Sequence, residues 1–188
     1  MSAIVARALA ARAGARLPRA APAFAAYATT ASNKKLDRAA AAVRSEVTIT
    51  PLYTAEVTAT GGRNGRATSS NKALDVELTF PKALGGPGVE GRTDPEQLFA
   101  AAYAACFQGA MGLAAQGFKI KLPESTTVTA QVGIGKYPEE GFGLAVELRI
   151  SAPGVSDDSL TSVILEAHEL CPYSRAIRHN VNVKLTIV

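Results

Sequence analysis

Residues 93–107 read Thr-Asp-Pro-Glu-Gln-Leu-Phe-Ala-Ala-Ala-Tyr-Ala-Ala-Cys-Phe, and the apolar run that opens at Leu98 continues to Ala115. Thr93, with Pro95 behind it and Glu96 three residues on, has the form of a capping box with an early proline, which starts a helix. From Leu98 to Ala115 there is no charge, and Gln108 is the one strongly polar side chain. Such a length reaches the lower limit for a membrane span. Most of these residues are Ala and Gly, however, Gln108 falls near the middle, and amphipathic strands flank the segment on both sides. A helix apolar on every face is also what the centre of a soluble fold requires. The segment is therefore read as a buried central helix, without stable membrane insertion.

Outward from that helix the pattern turns to strands. Leu52 to Thr60 alternates, Gly61-Gly62-Arg63-Asn64-Gly65 is a turn, and Arg66 to Ser70 is extended, which together make a hairpin. Leu74, Val76, Leu78 and Phe80 alternate with Asp75, Glu77 and Thr79, so a third strand has one buried and one wet face. The stretch from Pro81 to Arg92, with Leu84-Gly85-Gly86-Pro87-Gly88, reads as loop. After the helix, Thr126 to Gly135 and Leu144 to Ala152 read as strands around the turn-rich Pro138 to Gly143. Ser156 caps a second helix ending near Cys171-Pro172, and Val181 to Val188 closes as a strand. Strands, long helix, strands, helix and strand is an α+β order.

A chain of 188 residues supports one domain with a real core. Its net charge of +4 is concentrated at the front. Residues 1–36 hold six basic side chains (Arg7, Arg12, Arg16, Arg19, Lys34 and Lys35) and no acidic one, so the remainder carries 14 Lys plus Arg against 16 Asp plus Glu, or −2. A mildly acidic folded part argues against a nucleic-acid partner. The Ala-rich, acid-free leader with Arg7, Arg12 and Arg16 spread among Ile4, Val5, Leu9 and Leu17 has the character of a mitochondrial transit peptide. A disordered basic tail is the alternative, and a secretory signal fits less well because Arg interrupts every apolar core. The expected division is residues 1–36 as transit peptide, 37–49 as linker and 50–188 as the folded domain, with the mitochondrial matrix as destination. In that reducing compartment a bond between the two cysteines would be transient.

Cys106 and Cys171 are the candidate reactive groups. Each taken alone is as well explained as a small buried hydrophobe. Together they meet the need of a thiol peroxidase for one activated thiolate and a second thiol that captures its sulfenic acid. Arg63, in its glycine-bracketed turn, is the candidate to lower the thiol's pKa from the ordinary value of about 8.5. Glu96 could orient that guanidinium by bidentate pairing, or it could simply close the capping box. Glu96 and Cys106 are ten residues apart, about 15 Å along one helix at 1.5 Å per residue. One chain's Glu96 therefore cannot readily serve its own Cys106, and two such helices packed antiparallel in a homodimer would resolve the conflict. His168, one turn before Cys171, and His179 offer a weak case for Cys-His hydrolysis. Cys106, Cys171, His168 and His179 have no finger-like spacing for zinc.

The run from Thr93 to Phe107, with Gly61-Gly62-Arg63-Asn64-Gly65 and Cys171-Pro172-Tyr173-Ser174, resembles the organic hydroperoxide resistance (Ohr) branch of the Ohr/OsmC family. The resemblance spans roughly Leu52 to Val188 and includes Leu84 to Gly88, Val132 to Gly135 and Gly141 to Leu144. Asp94 stands where Asn is usual, and Ala102 and Ala104 where Gly and Ser are common. The resemblance implies an intertwined homodimer with antiparallel sheets wrapped around the long apolar helix and sites at the subunit interface. It also implies Cys106 as peroxidatic cysteine, Cys171 as resolving cysteine, and Arg63 with Glu96 as the pair that holds the thiolate ready. Organic and fatty-acid hydroperoxides are the implied substrates. No bound cofactor is implied, and the implied reductant is an external dithiol, dihydrolipoamide or lipoylated dehydrogenase subunits. Phe99, Phe107 and Phe142 are candidate walls for an apolar substrate chain. A non-enzymatic redox sensor, or a general OsmC-type stress protein, is the competing reading.

Overall fold

The computed structural model describes residues 49–138 and 141–188. The expected leader and all but the last residue of the expected linker lie outside the described residues. The chain divides at Glu56. Residues 49–56 carry no regular secondary structure, so the strand expected from Leu52 begins only at Val57.

From Val57 onward two three-stranded sheets form. The first is an antiparallel meander of β1 (Val57–Thr60), β2 (Arg66–Ser69) and β3 (Asp75–Glu77). The second comprises β4 (Thr127–Lys136), β5 (Phe142–Ser151) and β6 (Asn182–Ile187), with β5 in the middle. β4 and β5 form a long antiparallel hairpin, whereas β6 lies parallel to β5, an exception to the antiparallel pairing elsewhere. Among the described residues three helices complete the α+β fold: α1 (Pro95–Gly117), α2 (Asp157–Leu170) and α3 (Pro172–Ile177).

The core forms where α1 lies against β4 and α2. Tyr103, Phe107, Ala110, Met111 and Ala114 recur at helical spacing on one face of α1. They meet Val146, Leu148 and Ile150 of β5 and Leu160, Val163, Ile164 and Ala167 of α2 in one buried cluster. The α2 start is the expected one, with the Ser156 side chain accepting from the Ser159 amide.

Two expectations about the helices are corrected. α1 is not buried all round: Ala101, Ala105, Gln108, Gly109, Leu113 and Gln116 form an exposed, uncharged stripe, and Leu113 is 62% exposed. One sheet and one helix cover only one side of a cylinder about 10 Å across. A short helix, α3, also starts directly after Cys171, where no helix start was expected. Pro172 at its first position supplies the fixed φ that suits an N-terminal turn. Leu148→Ala should lower unfolding stability by about 2–5 kcal/mol through the cavity it leaves at this fully buried site. Urea denaturation of the two proteins measures it.

Candidate active site

The β1–β2 connection presents Arg63 in a 3-10 turn, Gly62–Asn64, entered through Gly61 and Gly62 at φ of 72° and 57°. Gly65 closes it where a Cβ would lie 1.7 Å from the Thr60 carbonyl oxygen, so no larger residue fits. Two long-range bonds pin the turn: the Phe80 amide donates to Asn64 Oδ1 at 2.8 Å, and the Leu78 amide to the Gly65 carbonyl at 2.8 Å. Arg63 then reaches the first turn of α1. Its two terminal nitrogens donate to the two oxygens of Glu96 at 2.8 and 2.6 Å, and the guanidinium lies 5.7 Å from the Phe80 ring centre.

Glu96 is free to do this because the helix cap lies one residue later than expected. Asp94 is the N-cap, its carboxylate accepting from the Gln97 amide, while the Thr93 hydroxyl donates to the Gln97 side chain. Asp94 thus supplies the oxygen that Asn would. The Arg63 hydrogen bonds hold the Glu96 carboxyl below its ordinary range against the opposing effect of burial, and Glu96 in turn raises Arg63.

The sulfurs form a second constellation. Cys106 on α1 and Cys171, at the junction of α2 and α3, are both free, with the Cys171 thiol hydrogen-bonded to the Cys106 sulfur at 3.6 Å. Cys171 is fully buried and Cys106 partly exposed. Beside them Tyr103 and Ser174, both fully buried, share a 2.8 Å hydroxyl–hydroxyl bond that ties α1 to α3. Burial pushes the Cys106 thiol above its ordinary range; the neighbouring Cys171 adds to this and the Tyr173 backbone opposes it.

Within one chain, then, the structure brings together Arg63 with Glu96 and Cys106 with Cys171. The side-chain hydrogen bonds of Arg63 go to Glu96, and that of the Cys106 sulfur comes from Cys171. Next to Arg63 and Glu96 a cavity of about 320 Å³ opens between Phe99, Val132, Phe142 and Leu144. Of the three phenylalanines expected as apolar walls, Phe99 and Phe142 line this cavity, whereas Phe107 is fully buried in the core. His168 packs against Phe107 with its Nδ1 buried and unpartnered, and desolvation pushes its pKa down. His179 is exposed in a left-handed turn. Among the described residues no group of His, Cys, Asp and Glu is arranged to hold a metal ion.

The chain matches the family described as OsmC-like protein over residues 86–186. It is 55% identical to an organic hydroperoxide resistance protein of Xanthomonas axonopodis, over 72% of this chain and 94% of that one. It belongs to the Ohr/OsmC family. Another member, OhrA of Bacillus subtilis, is 41% identical over 73% of this chain and 96% of its own length. The crystal structure of the Elizabethkingia anophelis organic hydroperoxide resistance protein superposes with a TM-score of 0.68 at 49% identity, covering 74% of this chain and 98% of that one. These relatives are bacterial, which overturns the expected mitochondrial destination and the transit-peptide reading on which it rested.

The tie between Glu96 and Arg63 makes stability depend on pH. A depressed folded-state pKa contributes stability that is present above the unfolded value of 4.5 and is lost as pH falls through the lower folded value. Glu96→Gln should cost about 1 kcal/mol at pH 7, given the partial exposure of the pair. That difference should shrink as pH is taken below 4.5, as read from paired urea midpoints.

Proposed function

We propose that this family member is a thiol peroxidase that detoxifies organic hydroperoxides. The observation that carries the reading is the pair of free sulfurs 3.6 Å apart, one partly exposed and one buried. The Cys106 thiolate attacks one peroxide oxygen, the O–O bond breaks, and with one proton the alcohol leaves while Cys106 becomes a sulfenic acid. The Cys171 thiol displaces water from that sulfenic acid, and the sulfurs close to a disulfide length of about 2.05 Å. An external dithiol, of lipoyl type, then returns both thiols by exchange and is itself oxidised to a disulfide. The names of the relatives agree with this substrate class.

The thiolate needs a cation, and among the described residues of its own chain none is bonded to it. A second copy of the chain supplies it in this proposal. The exposed stripe of α1 is uncharged, and its Ala101, Ala105 and Gly109 are small, so two helices can approach closely at that end of it. Ala101 lies midway between Glu96 and Cys106 and is exposed. A two-fold axis near Ala101, with the helices antiparallel, sets Glu96 and its Arg63 opposite the other chain's Cys106. The homodimer thereby completes two sites at once.

Steady-state turnover of tert-butyl hydroperoxide with dihydrolipoamide tests the activity, and a single stoichiometric oxidation without turnover would instead favour a redox sensor. Cys106→Ser should abolish turnover. Cys171→Ser should leave a Cys106 that over-oxidises, which mass spectrometry reads as added oxygen. Shared sites make a sharper forecast: Arg63→Ala and Cys106→Ser chains, each inactive alone, should regain about a quarter of the wild-type activity when refolded together, because half the dimers then carry one intact site. Recovery of none would place Arg63 outside the partner's site. In a Cys171→Ser background, Arg63→Ala should raise the pH midpoint of Cys106 alkylation by about one unit.

A further inference from the structure

Strand β4 turns Val128, Ala130, Val132 and Ile134 to one face, and all four are partly buried there. The next residue in that period is Lys136, a charge where the apolar row would otherwise continue. It pairs directly with Phe142 across the hairpin, and its ammonium stands 6.0 Å from that ring's centre. Both residues line a cavity of about 500 Å³ with Arg63, Phe80, Leu84 and Ile134. The walls between the two cations are apolar, and among the described residues no acidic one lines this cavity. Arg63 is already paired with Glu96, whereas none of the ion pairs among the described residues involves Lys136.

An apolar cavity with an engaged arginine at one place and a lysine at another is complementary to an amphiphile with one anionic end. We propose that Lys136 is a headgroup subsite that binds the carboxylate of long-chain acids and so favours free-acid over esterified hydroperoxides. This rests on the peroxidase reading for its catalytic consequence, since the acyl chain would run along Phe142 and Leu84 with its peroxide toward Arg63. The ammonium stands over the aromatic ring, and Lys136 and Phe142 are both exposed, so the charge stays hydrated. The attraction is that of a solvent-facing ion pair, which sets its size and makes it sensitive to salt.

The test begins without chemistry. Decanoate and methyl decanoate are titrated into the full chain by calorimetry, with wild type, Lys136→Met and Lys136→Arg. Wild type should prefer the acid by about two- to fivefold. The preference should vanish in Lys136→Met, return in Lys136→Arg, and fall in 1 M salt. Absence of decanoate binding, equal affinity for acid and ester, or an equal loss of both in Lys136→Met overturns the subsite. A second arm compares kcat/KM for a fatty-acid hydroperoxide and its methyl ester, where the ratio should follow the same order of variants. The two readings separate: if wild type does not turn over tert-butyl hydroperoxide while decanoate binding follows Lys136, the peroxidase reading fails and the subsite stands. If turnover is robust and acid and ester are used equally by every variant, the subsite fails alone.

Discussion

The constraint on which the rest depends is the stiffness of one helix. α1 runs unbroken from Pro95 to Gly117, so the ten residues between Glu96 and Cys106 are a fixed strut of about 15 Å. At one end the strut carries the carboxylate that collects Arg63. Further along it carries the sulfur that meets Cys171. Neither pair can slide toward the other without unwinding backbone hydrogen bonds. A charge pair and a thiol pair are thereby built into one chain at positions where they cannot serve one another, and an exposed helix face runs beside both.

The two faces of that helix have different work. The inner face interdigitates large side chains with β5 and α2, which fixes the direction of the strut. The outer face has few side-chain atoms to order between Ala101 and Ala105, and carries Gln108, Leu113 and Gln116 further along. Its residues leave room for a backbone rather than for a solvent-facing coat of charge, which makes the isolated chain an incomplete object under the proposed assembly.

Much of this was legible in the sequence, and the limits have physical causes. Period-two alternation located β3 and β6 to within a few residues, because one face of each strand is more buried than the other, whereas turn signals set off β2, β4 and β5. The hairpin turn at Gly61 to Gly65 was legible because its backbone needs glycine. Arg63 and Glu96 were named as partners, yet Glu96 was equally at home in a capping box until Asp94 proved to be the cap; both residues suit that role and only coordinates choose. Composition reports that α1 is apolar without reporting what covers each face, and within a single chain its outer stripe is exposed. The hydroxyl bond between Tyr103 and Ser174 joins positions 71 residues apart, and no local pattern announces it. Pro172 could have signalled α3, but one turn of helix has no periodicity to support the reading. Lys136 carries no local signal, because its place depends on a cavity assembled by three separate segments.

The unequal exposure of the two sulfurs gives the proposed cycle a direction of traffic. Once bonded, Cys171 has its back to the core, and an incoming dithiol can approach only from the Cys106 side. Electrons would therefore enter where the oxidant had entered, by way of a mixed disulfide on Cys106, with Cys171 as the sulfur that is released. A single doorway makes oxidant and reductant compete for the same small opening. The shape of that opening would then decide which hydroperoxides and which dithiols the protein meets.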